Sequence, residues 1–275
     1  MTETDLPLGL RLTAQAGWNQ AEADWRRFQR LQPDGCFVAE CDGAAVGTAA
    51  CFLFGPVAWL AMVLVDEAAR GRGVGTALVR HGLAFADARG AQSVRLDATP
   101  LGRPIYERLG FVADCTWRRY EGVPPDLIDG PLVTTALQPW DWPDVLRLDR
   151  RVTGAAREPF LRRLHEERPD AFRVLRRQGT FLGFVAWRGG ARADHIGPCL
   201  TVSELEGTDL LRDAFRCLAG RRVFIDIPEA RKCLAVPFAE ACGLTLQRPL
   251  LRMTRGRKVS EAIPLLWASS GPEKG

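Results

Sequence analysis

Glycine and arginine alternate in one short segment, Arg70-Gly71-Arg72-Gly73-Val74-Gly75, which lies between an apolar run and a helical pattern. The first turn of a helix leaves backbone N–H groups free and carries partial positive charge, so it attracts phosphate and other anions. Glycines let the backbone approach such an anion without a Cβ atom in the way. The two arginines add charge that can reach the same group. The spacing therefore predicts a phosphate-binding loop.

The order of these residues argues against two common phosphate loops. A Walker A loop needs a lysine after its last glycine, and Gly75 is followed directly by Thr76. The dinucleotide fingerprint would place its third glycine at position 76 rather than 75. Asp97 follows Gly71 by about 26 residues, which is too far for the ribose-binding acid of that motif. A nicotinamide-dependent oxidoreductase is therefore disfavoured.

The loop resembles instead the acyl-CoA signature of the GCN5-related N-acetyltransferase (GNAT) superfamily, Arg/Gln-x-x-Gly/Ala-x-Gly/Ala, read here from Arg70 to Gly75. The apolar run before it ends in Val65-Asp66-Glu67, at the distance that the family pattern has. Downstream, "IYERLGF" (105–111) is similar to the family's second signature, an aromatic residue followed by a short helix and Gly-Phe. The resemblance covers most of residues 8–122.

The resemblance implies a fold and a set of roles. The fold class is mixed α/β of the α+β type, with a mostly antiparallel mixed sheet flanked by helices. The cosubstrate is acetyl-CoA and no metal is required. The family pattern assigns cofactor binding to backbone groups of the strand and loop and a role near the thioester sulfur to Tyr106; the cofactor-binding residues are Val63, Val65, Arg70, Gly71, Arg72, Gly73, Val74, Gly75 and Thr76.

Acetyl transfer to an amine needs a neutral amine, a polarised carbonyl and a proton donor for the leaving thiolate. The Tyr106 phenol is the candidate donor, and a tyrosine packed under the helix is the structural alternative. The general base is not assigned, because the strand "AWLAMVLV" (58–65) carries no acid. Glu40, His81 and the adjacent acids Asp66 and Glu67 are weak candidates. We expect solvated side chains at the first two and proximity to phosphate at the last two.

The periodicity of apolar residues predicts the helices and strands that carry these residues. We expect a strand over 8–13, a helix over 17–31, a hairpin over 36–54 with Asp42-Gly43 at its turn, and a buried strand over 58–65. Later expectations are a helix over 76–88, a strand over 93–98, a short helix over 102–110 and a strand pair over 111–122.

The pattern then repeats at an offset near 134, which indicates an internal duplication. Val38, Gly43 and Gly47 match Val174, Gly179 and Gly183, and "GTALVR" (75–80) matches "GTDLLR" (207–212). The expected domains are 1–122, a linker at 123–132, a second GNAT-like domain at 133–256 and an irregular tail at 257–275.

The second half lacks the glycine loop. Aligned through the repeat, Arg70 to Gly75 becomes Val202-Ser-Glu-Leu-Glu-Gly207, with two glycines and both arginines lost and two acids gained. Acids repel a pyrophosphate and side chains obstruct it, so this half is expected to bind no CoA. The chain thus resembles two-domain bacterial proteins with an active N-terminal GNAT module and a degenerate C-terminal one. In that half we expect His195 to be an ordinary packed histidine and Asp226 to be a solvated charge. A place for both in the lining of an acceptor pocket is the alternative.

Composition bounds the function. A formal charge of +4 spread over 275 residues gives no basic groove for nucleic acid, and no apolar run reaches membrane-spanning length. Eight cysteines without CxxC pairs indicate reduced thiols and a cytoplasmic protein. The expected activity is N-acetylation of a small-molecule or peptide amine by direct attack on the thioester. A non-catalytic acyl-CoA sensor or partner-binding protein and a transferase of longer acyl groups stay open, as does the oligomeric state.

Overall fold

The computed structural model describes residues 1–126, 130–231 and 234–273, and it divides the chain into two units. Unit 1 comprises Met1–Asp114 and Leu251–Lys258, and unit 2 comprises Cys115–Leu250 and Val259–Glu273. Three residues of the expected linker (127–129), Cys233 and the last two residues of the expected tail (274–275) lie outside the described residues.

Unit 1 is a mixed sheet with helices. Its elements in chain order are α1 (Leu6–Gln15), α2 (Glu22–Leu31), β1 (Cys36–Cys41), β2 (Ala44–Phe54), β3 (Val57–Val65), α3 (Val74–Ala88), β4 (Ser93–Ala98), α4 (Arg103–Arg108), the first residues of β5 (Val112–Gly122) and the second half of β11 (Leu244–Gly256). The strands lie in the order β1-β2-β3-β4-β11, all antiparallel except for the parallel pair β3–β4. This is the mostly antiparallel mixed sheet that the sequence predicts.

The core of unit 1 forms where apolar faces of strands and helices meet. Leu60, Val94 and Leu96 alternate on β3 and β4 with residues of the opposite face, and they pack against one stripe of α3 that includes Val79 and Leu83. Burial of this stripe fixes α3 across the sheet, and with it the loop that precedes the helix.

Unit 2 repeats the plan. Its elements are the rest of β5, β6 (Thr134–Ala136), α5 (Trp142–Thr153), α6 (Glu158–Glu167), β7 (Phe172–Arg177), β8 (Thr180–Arg188), β9 (Asp194–Thr201), α7 (Gly207–Cys217), β10 (Val223–Pro228), α8 (Ala235–Ala241), the first half of β11 and β12 (Leu266–Ala268). The strands lie in the order β5-β10-β9-β8-β7-β6, with β12 on β9. The pair β9–β10 is parallel, as β3–β4 is.

Two pairs of glycines support the duplication. The β1–β2 turn has Asp42 and Gly43 at positive φ, and the β7–β8 turn has Gln178 and Gly179 in the same conformation. A Cβ on Gly47 would lie 3.0 Å from the Leu64 carbonyl oxygen and 3.0 Å from Leu78, and a Cβ on Gly183 would meet the Leu200 oxygen and Leu210 at 2.4 and 3.0 Å. Both glycines therefore permit the same close approach of strand and helix.

Three expected elements differ from the structure. Residues 8–13 were expected to form a strand but lie in α1, where the Gly9 carbonyl oxygen accepts the Thr13 hydroxyl. The Trp25 ring packs on Gly9, so closely that a Cβ there would lie only 2.8 Å from the ring. The helix expected over 17–31 begins only at Glu22. Residues 112–122 form the single strand β5, which continues into unit 2 because Trp117–Gly122 pairs with β10.

The boundaries also differ from the expected ones. Residues 251–256, expected in the second domain, belong to unit 1 because they pair with β4, from Leu251 opposite Ala98 to Gly256 opposite Ser93. The expected irregular tail contains β12, whose residues are all buried. Both differences come from pairing between distant segments, which local patterns do not record.

No helix in the described ranges is long and apolar enough to cross a bilayer.

Candidate functional site

The glycine loop joins β3 to α3 in unit 1. After Val65 the Asp66 carboxylate caps a 3-10 turn at Glu67–Ala69, accepting the Ala68 N–H at 3.0 Å. Gly71 and Gly73 then adopt left-handed φ angles of +76° and +83°, and α3 begins at Val74. A side chain at either glycine would strain the backbone, so the sequence folds this way because glycine stands there. The helix begins two residues before the expected Thr76.

The outer side of this loop is open. A Cβ built on Gly71 or Gly73 meets nothing within 4 Å, and both residues are exposed. On the inner side, a Cβ on Gly75 would touch only Val65 and Ile105, at 3.6 and 3.7 Å. Backbone N–H groups at the start of the 15-residue helix α3 therefore face space that an anion can enter. A side chain at Gly71 or Gly73 would project into this open space.

The two loop arginines are held by neighbours of unit 1. Arg70 donates from Nε to the Val65 carbonyl oxygen at 3.2 Å and lies 3.3 Å from a Glu67 carboxylate oxygen. Arg72 donates to Asp42 at 2.9 Å, and this hydrogen bond and charge raise the pKa of Arg72 above its usual value. Both side chains are about half exposed, at 41% and 53%. Ion pairs as exposed as these two contribute little to stability.

A wedge opens between β3 and β4 beside this loop. The two strands pair only from Val57–Trp59 against Ser93–Arg95, although β3 continues to Val65. Asp66 donates its N–H to Val46 in β2 at 2.8 Å, and hydrogen-bonding directions alternate along a strand. The N–H and C=O groups of Val63 and Val65 therefore point away from β2, into the wedge. The register of β4 against β3, Ser93–Arg95 opposite Val57–Trp59, does not extend to Val63 or Val65.

An irregularity in β3 accompanies the wedge. Met62 has φ of +53°, the pairing with β2 shifts register between Thr48 and Ala50, and the Met62 oxygen accepts the Thr48 hydroxyl at 3.0 Å. The extra residue rotates the strand locally, as a β-bulge does. The bulge lies between the part of β3 that pairs with β4 and the last residues of β3, which do not.

Tyr106 lies in α4 in the same apolar cluster as Val63. Its side chain is buried at 9% exposure, against Phe111 at 5.8 Å between ring centroids and against Gly102, where a Cβ would lie 2.8 Å from the ring. Burial raises the pKa of Tyr106 to about 12. Within the described ranges its hydroxyl makes no hydrogen bond. The phenol therefore keeps its proton at neutral pH and is free to donate it.

The weak candidates for a base do not converge on the wedge. Glu40 and His81 are exposed, and the His81 ring packs against Phe37 at 4.5 Å. Asp66 is paired with Arg11, and this hydrogen bond lowers the pKa of its carboxyl. Glu67 is paired with Arg70. Across the described ranges, no group of three His, Cys, Asp or Glu side chains could hold a metal ion.

The corresponding loop of unit 2 has a different character. Ser203 donates to Glu206 at 2.7 Å, Arg231 donates to Glu204 at 3.1 Å, and α7 begins at Gly207. A Cβ on Gly207 would lie 1.8 Å from the ring of Trp267, so this ring covers the start of the helix. Carboxylates and an indole take the place of the glycines and arginines of unit 1.

Two family models match the chain. Residues 10–111 match the acetyltransferase (GNAT) family, and residues 145–268 match an acetyltransferase (GNAT) domain. Together they span most of the sequence. The chain belongs to the GNAT acetyltransferase family. It is a two-domain GNAT protein and an acyltransferase.

Relatives and solved structures agree with the family. The chain is 26% identical over 231 residues to the uncharacterized N-acetyltransferase YitH of Bacillus subtilis, covering 82% of this chain and 79% of that one. It is 23% identical over 213 residues to holothin acyltransferase of a Pseudoalteromonas species, covering 77% and 71%. A putative acetyltransferase from Pyrococcus horikoshii superposes with a TM-score of 0.85 at 24% identity, covering 100% and 94%. A tandem GNAT protein from the clavulanic acid pathway gives 0.64 at 17%, covering 94% and 97%.

The structure brings together most of what the sequence singled out in this GNAT protein. The loop, the end of β3 and Tyr106 all lie in unit 1 around α3 and the wedge. Two buried groups were not predicted from the sequence. Arg252 forms a two-point ion pair with Asp97, and Trp267 covers Gly207. The aspartates Asp97 and Asp226 were the available signal, since each lies in the strand β4 or β10 of its unit and forms a buried ion pair, with Arg252 and Arg119 respectively. Asp226 was expected to be a solvated charge, but its side chain is 1% exposed because this ion pair is buried.

Proposed function

We propose that unit 1 transfers an acetyl group from acetyl-CoA to the amine of a small molecule or peptide. The observation that carries the proposal is the open loop at Gly71 and Gly73, placed at the start of α3 and beside the wedge. Bound acetyl-CoA supplies an acyl group already activated as a thioester. Every other part of the proposal concerns what the residues of the chain do.

The loop and the strand bind and orient. Backbone N–H groups from Gly71 to Thr76, with Val74 and Gly75 between them, are suited to hold a pyrophosphate at the helix start. Arg70 and Arg72 exchange their exposed partners for phosphate oxygens. The wedge-facing N–H and C=O groups of Val63 and the N–H of Val65 are suited to pair with an extended pantetheine arm, as an added strand would. The Val65 carbonyl oxygen accepts the Arg70 Nε–H and becomes available when Arg70 turns to a phosphate.

Tyr106 handles the proton of the leaving sulfur. Its side chain is buried and its pKa is raised to about 12, so the phenol stays protonated while an amine acceptor, whose pKa is near 10, loses its proton. A backbone N–H in the wedge can stabilise the negative charge that develops on the carbonyl oxygen. Since no carboxylate of unit 1 among the candidates faces the wedge, we propose that water carries the amine proton away.

The names of two relatives support acyl transfer to an amine. One is a rice protein named a probable glucosamine 6-phosphate N-acetyltransferase. It is 45% identical over 58 residues, which cover 21% of this chain and 35% of that one. The Pseudoalteromonas relative is named an acyltransferase. A longer acyl group is therefore the second candidate. Rates with acyl-CoAs of increasing chain length separate it from acetyl transfer.

Calorimetric titration of acetyl-CoA into wild type, Gly73→Glu and Gly90→Glu tests the proposal. Gly73 and Gly90 are both exposed, both at positive φ (+83° and +73°) and both without neighbours at the Cβ position, but they lie at opposite ends of α3. Both substitutions therefore bring similar strain and the same charge. Like charges within about 8 Å repel by about 2 kcal/mol at an effective dielectric of about 20, so Kd should rise at least about 30-fold for Gly73→Glu alone.

One binding site per chain, lost only in Gly73→Glu, is the expected result. Equal weakening by both variants would mean that strain, and not the loop, controls binding. No binding by folded wild type would overturn the proposal.

A further inference from the structure

Unit 2 has a wedge of its own, but a segment of the chain lies in it. β9 and β10 pair only from Asp194–Ile196 against Val223–Ile225, the same three-residue overlap that β3 and β4 have in unit 1. Beyond it, β12 pairs with β9, Leu266 opposite Leu200 and Ala268 opposite Cys199. Ser269 then donates its N–H to the Asp226 oxygen of β10 at 3.0 Å. The segment 263–273 thus hydrogen-bonds both edges of the wedge.

Trp267 anchors this segment at the start of α7. Its side chain is 1% exposed and belongs to the core cluster with Leu210 and Leu211. Ring atoms lie 1.8 to 2.4 Å from where a Cβ of Gly207 would be, so only glycine leaves room for the indole. The Arg231 guanidinium lies 4.8 Å from the ring centroid. At Gly75, the counterpart in unit 1, only ordinary contacts at 3.6 Å and beyond occur.

Buried polar groups recognise the rest of the segment. His195 lies 3.3 Å from the Ser269 oxygen, and Arg157 donates to the Ser270 hydroxyl at 2.9 Å. Arg188 forms an ion pair with the Glu273 carboxylate, and both side chains are nearly fully buried. Sheets bind extended peptides by backbone pairing, which gives affinity, and by side-chain pockets, which give specificity. Unit 2 supplies both to the segment, with a buried arginine for its carboxylate in addition.

We propose that the wedge of unit 2 is a binding site for an extended peptide that carries an indole and a carboxylate, filled in this protein by its own segment 263–273. The segment lies where pantetheine and pyrophosphate would have to lie, so it closes unit 2 to acyl-CoA. The site is the duplicated cofactor wedge converted from a nucleotide to a peptide ligand. This inference is independent of the acceptor and the acyl group used by unit 1.

Gly207→Ala in the full chain tests the pocket, with Gly75→Ala as its matched control. Both glycines lie in the first turn of a helix at ordinary φ, where alanine by itself favours the helix. Only at 207 must the new methyl group displace a ring. Hydrogen exchange of amides 266–270 should accelerate at least about tenfold in Gly207→Ala and stay unchanged in Gly75→Ala. Equal exchange in the two variants, or unprotected amides in wild type, would overturn the proposal.

Trp267→Ala with added indole provides a second readout, which does not depend on how Gly207→Ala folds. Removal of the ring leaves an apolar cavity against Gly207, and such cavities take up ligands of matching shape. Indole should raise the melting temperature of Trp267→Ala in a saturable way and leave that of wild type unchanged. Absence of this rise would contradict an indole pocket. A second acetyl-CoA per chain in calorimetry of Trp267→Ala would show a cofactor site instead of a peptide site.

Discussion

Arg252→Leu tests whether the pairing of β11 with β4 in unit 1 depends on a buried ion pair. Arg252 Nε and Nη2 donate to the two carboxylate oxygens of Asp97 at 2.8 and 3.0 Å, and the side chains are 0% and 1% exposed. The guanidinium also lies 4.7 Å from the ring centroid of Trp59. The substitution removes one partner and leaves the carboxylate in the interior without its two guanidinium hydrogen bonds.

The expected cost is large because a buried charge loses its partner. Removing one member of such a pair typically costs about 3–5 kcal/mol, whereas an exposed helical pair is worth about 0.5 kcal/mol or less. Arg103→Leu, which breaks the exposed pair with Glu107, is the control. Urea unfolding should show a much lower midpoint for Arg252→Leu only, and hydrogen exchange should place the loss in β4.

A double variant makes the reasoning refutable. Arg252→Leu/Asp97→Leu replaces both charges by apolar side chains, so it should regain most of the lost stability. If Arg252→Leu costs no more than Arg103→Leu, or if the double variant is less stable than the single one, the pair does not hold β11 on β4.

Two further results are expected. Tyr106→Phe removes the proposed proton donor and little volume, so kcat should fall at least about tenfold while KM for acetyl-CoA stays within about twofold. A change in KM alone, or an unchanged kcat, would assign Tyr106 to packing. Burial lowers the pKa of His195 to about 4, below its unfolded value of about 6.5, so the unfolded state binds the extra proton as pH falls through this window. The His195 contribution to stability is therefore complete above about pH 6.5 and decreases by up to about 3 kcal/mol toward pH 4, and urea midpoints of wild type should fall more steeply with acid than those of His195→Gln.

The sequence predicts the parts of this protein that depend on neighbouring residues. Turn chemistry and apolar periodicity act over a few residues, so they predict local structure directly. They predict the Asp42-Gly43 turn, the buried run of β3, helix α3 and the glycine turn at 71 and 73. The loop and its place between strand and helix were therefore predictable.

The remaining features depend on partners far along the chain. Residues 8–13 are helical because Trp25 packs on Gly9, which no local pattern shows. The pair Arg252–Asp97 joins residues that are 155 positions apart in the sequence, and Trp267 lies in a segment whose composition resembles a loop. Burial and strand pairing decide these positions, and a single sequence records neither.

The pairing of residues 251–256 with β4 has a consequence for synthesis. Domains usually fold in order as the ribosome releases them, the N-terminal one first. Here the edge of β4 receives its neighbour only after residue 256 has been made. Until then a nascent chain would expose that edge, and edges of this kind recruit other strands. The glycine loop is translated early, yet the unit that holds it matures only after residues 251–256 have left the exit tunnel.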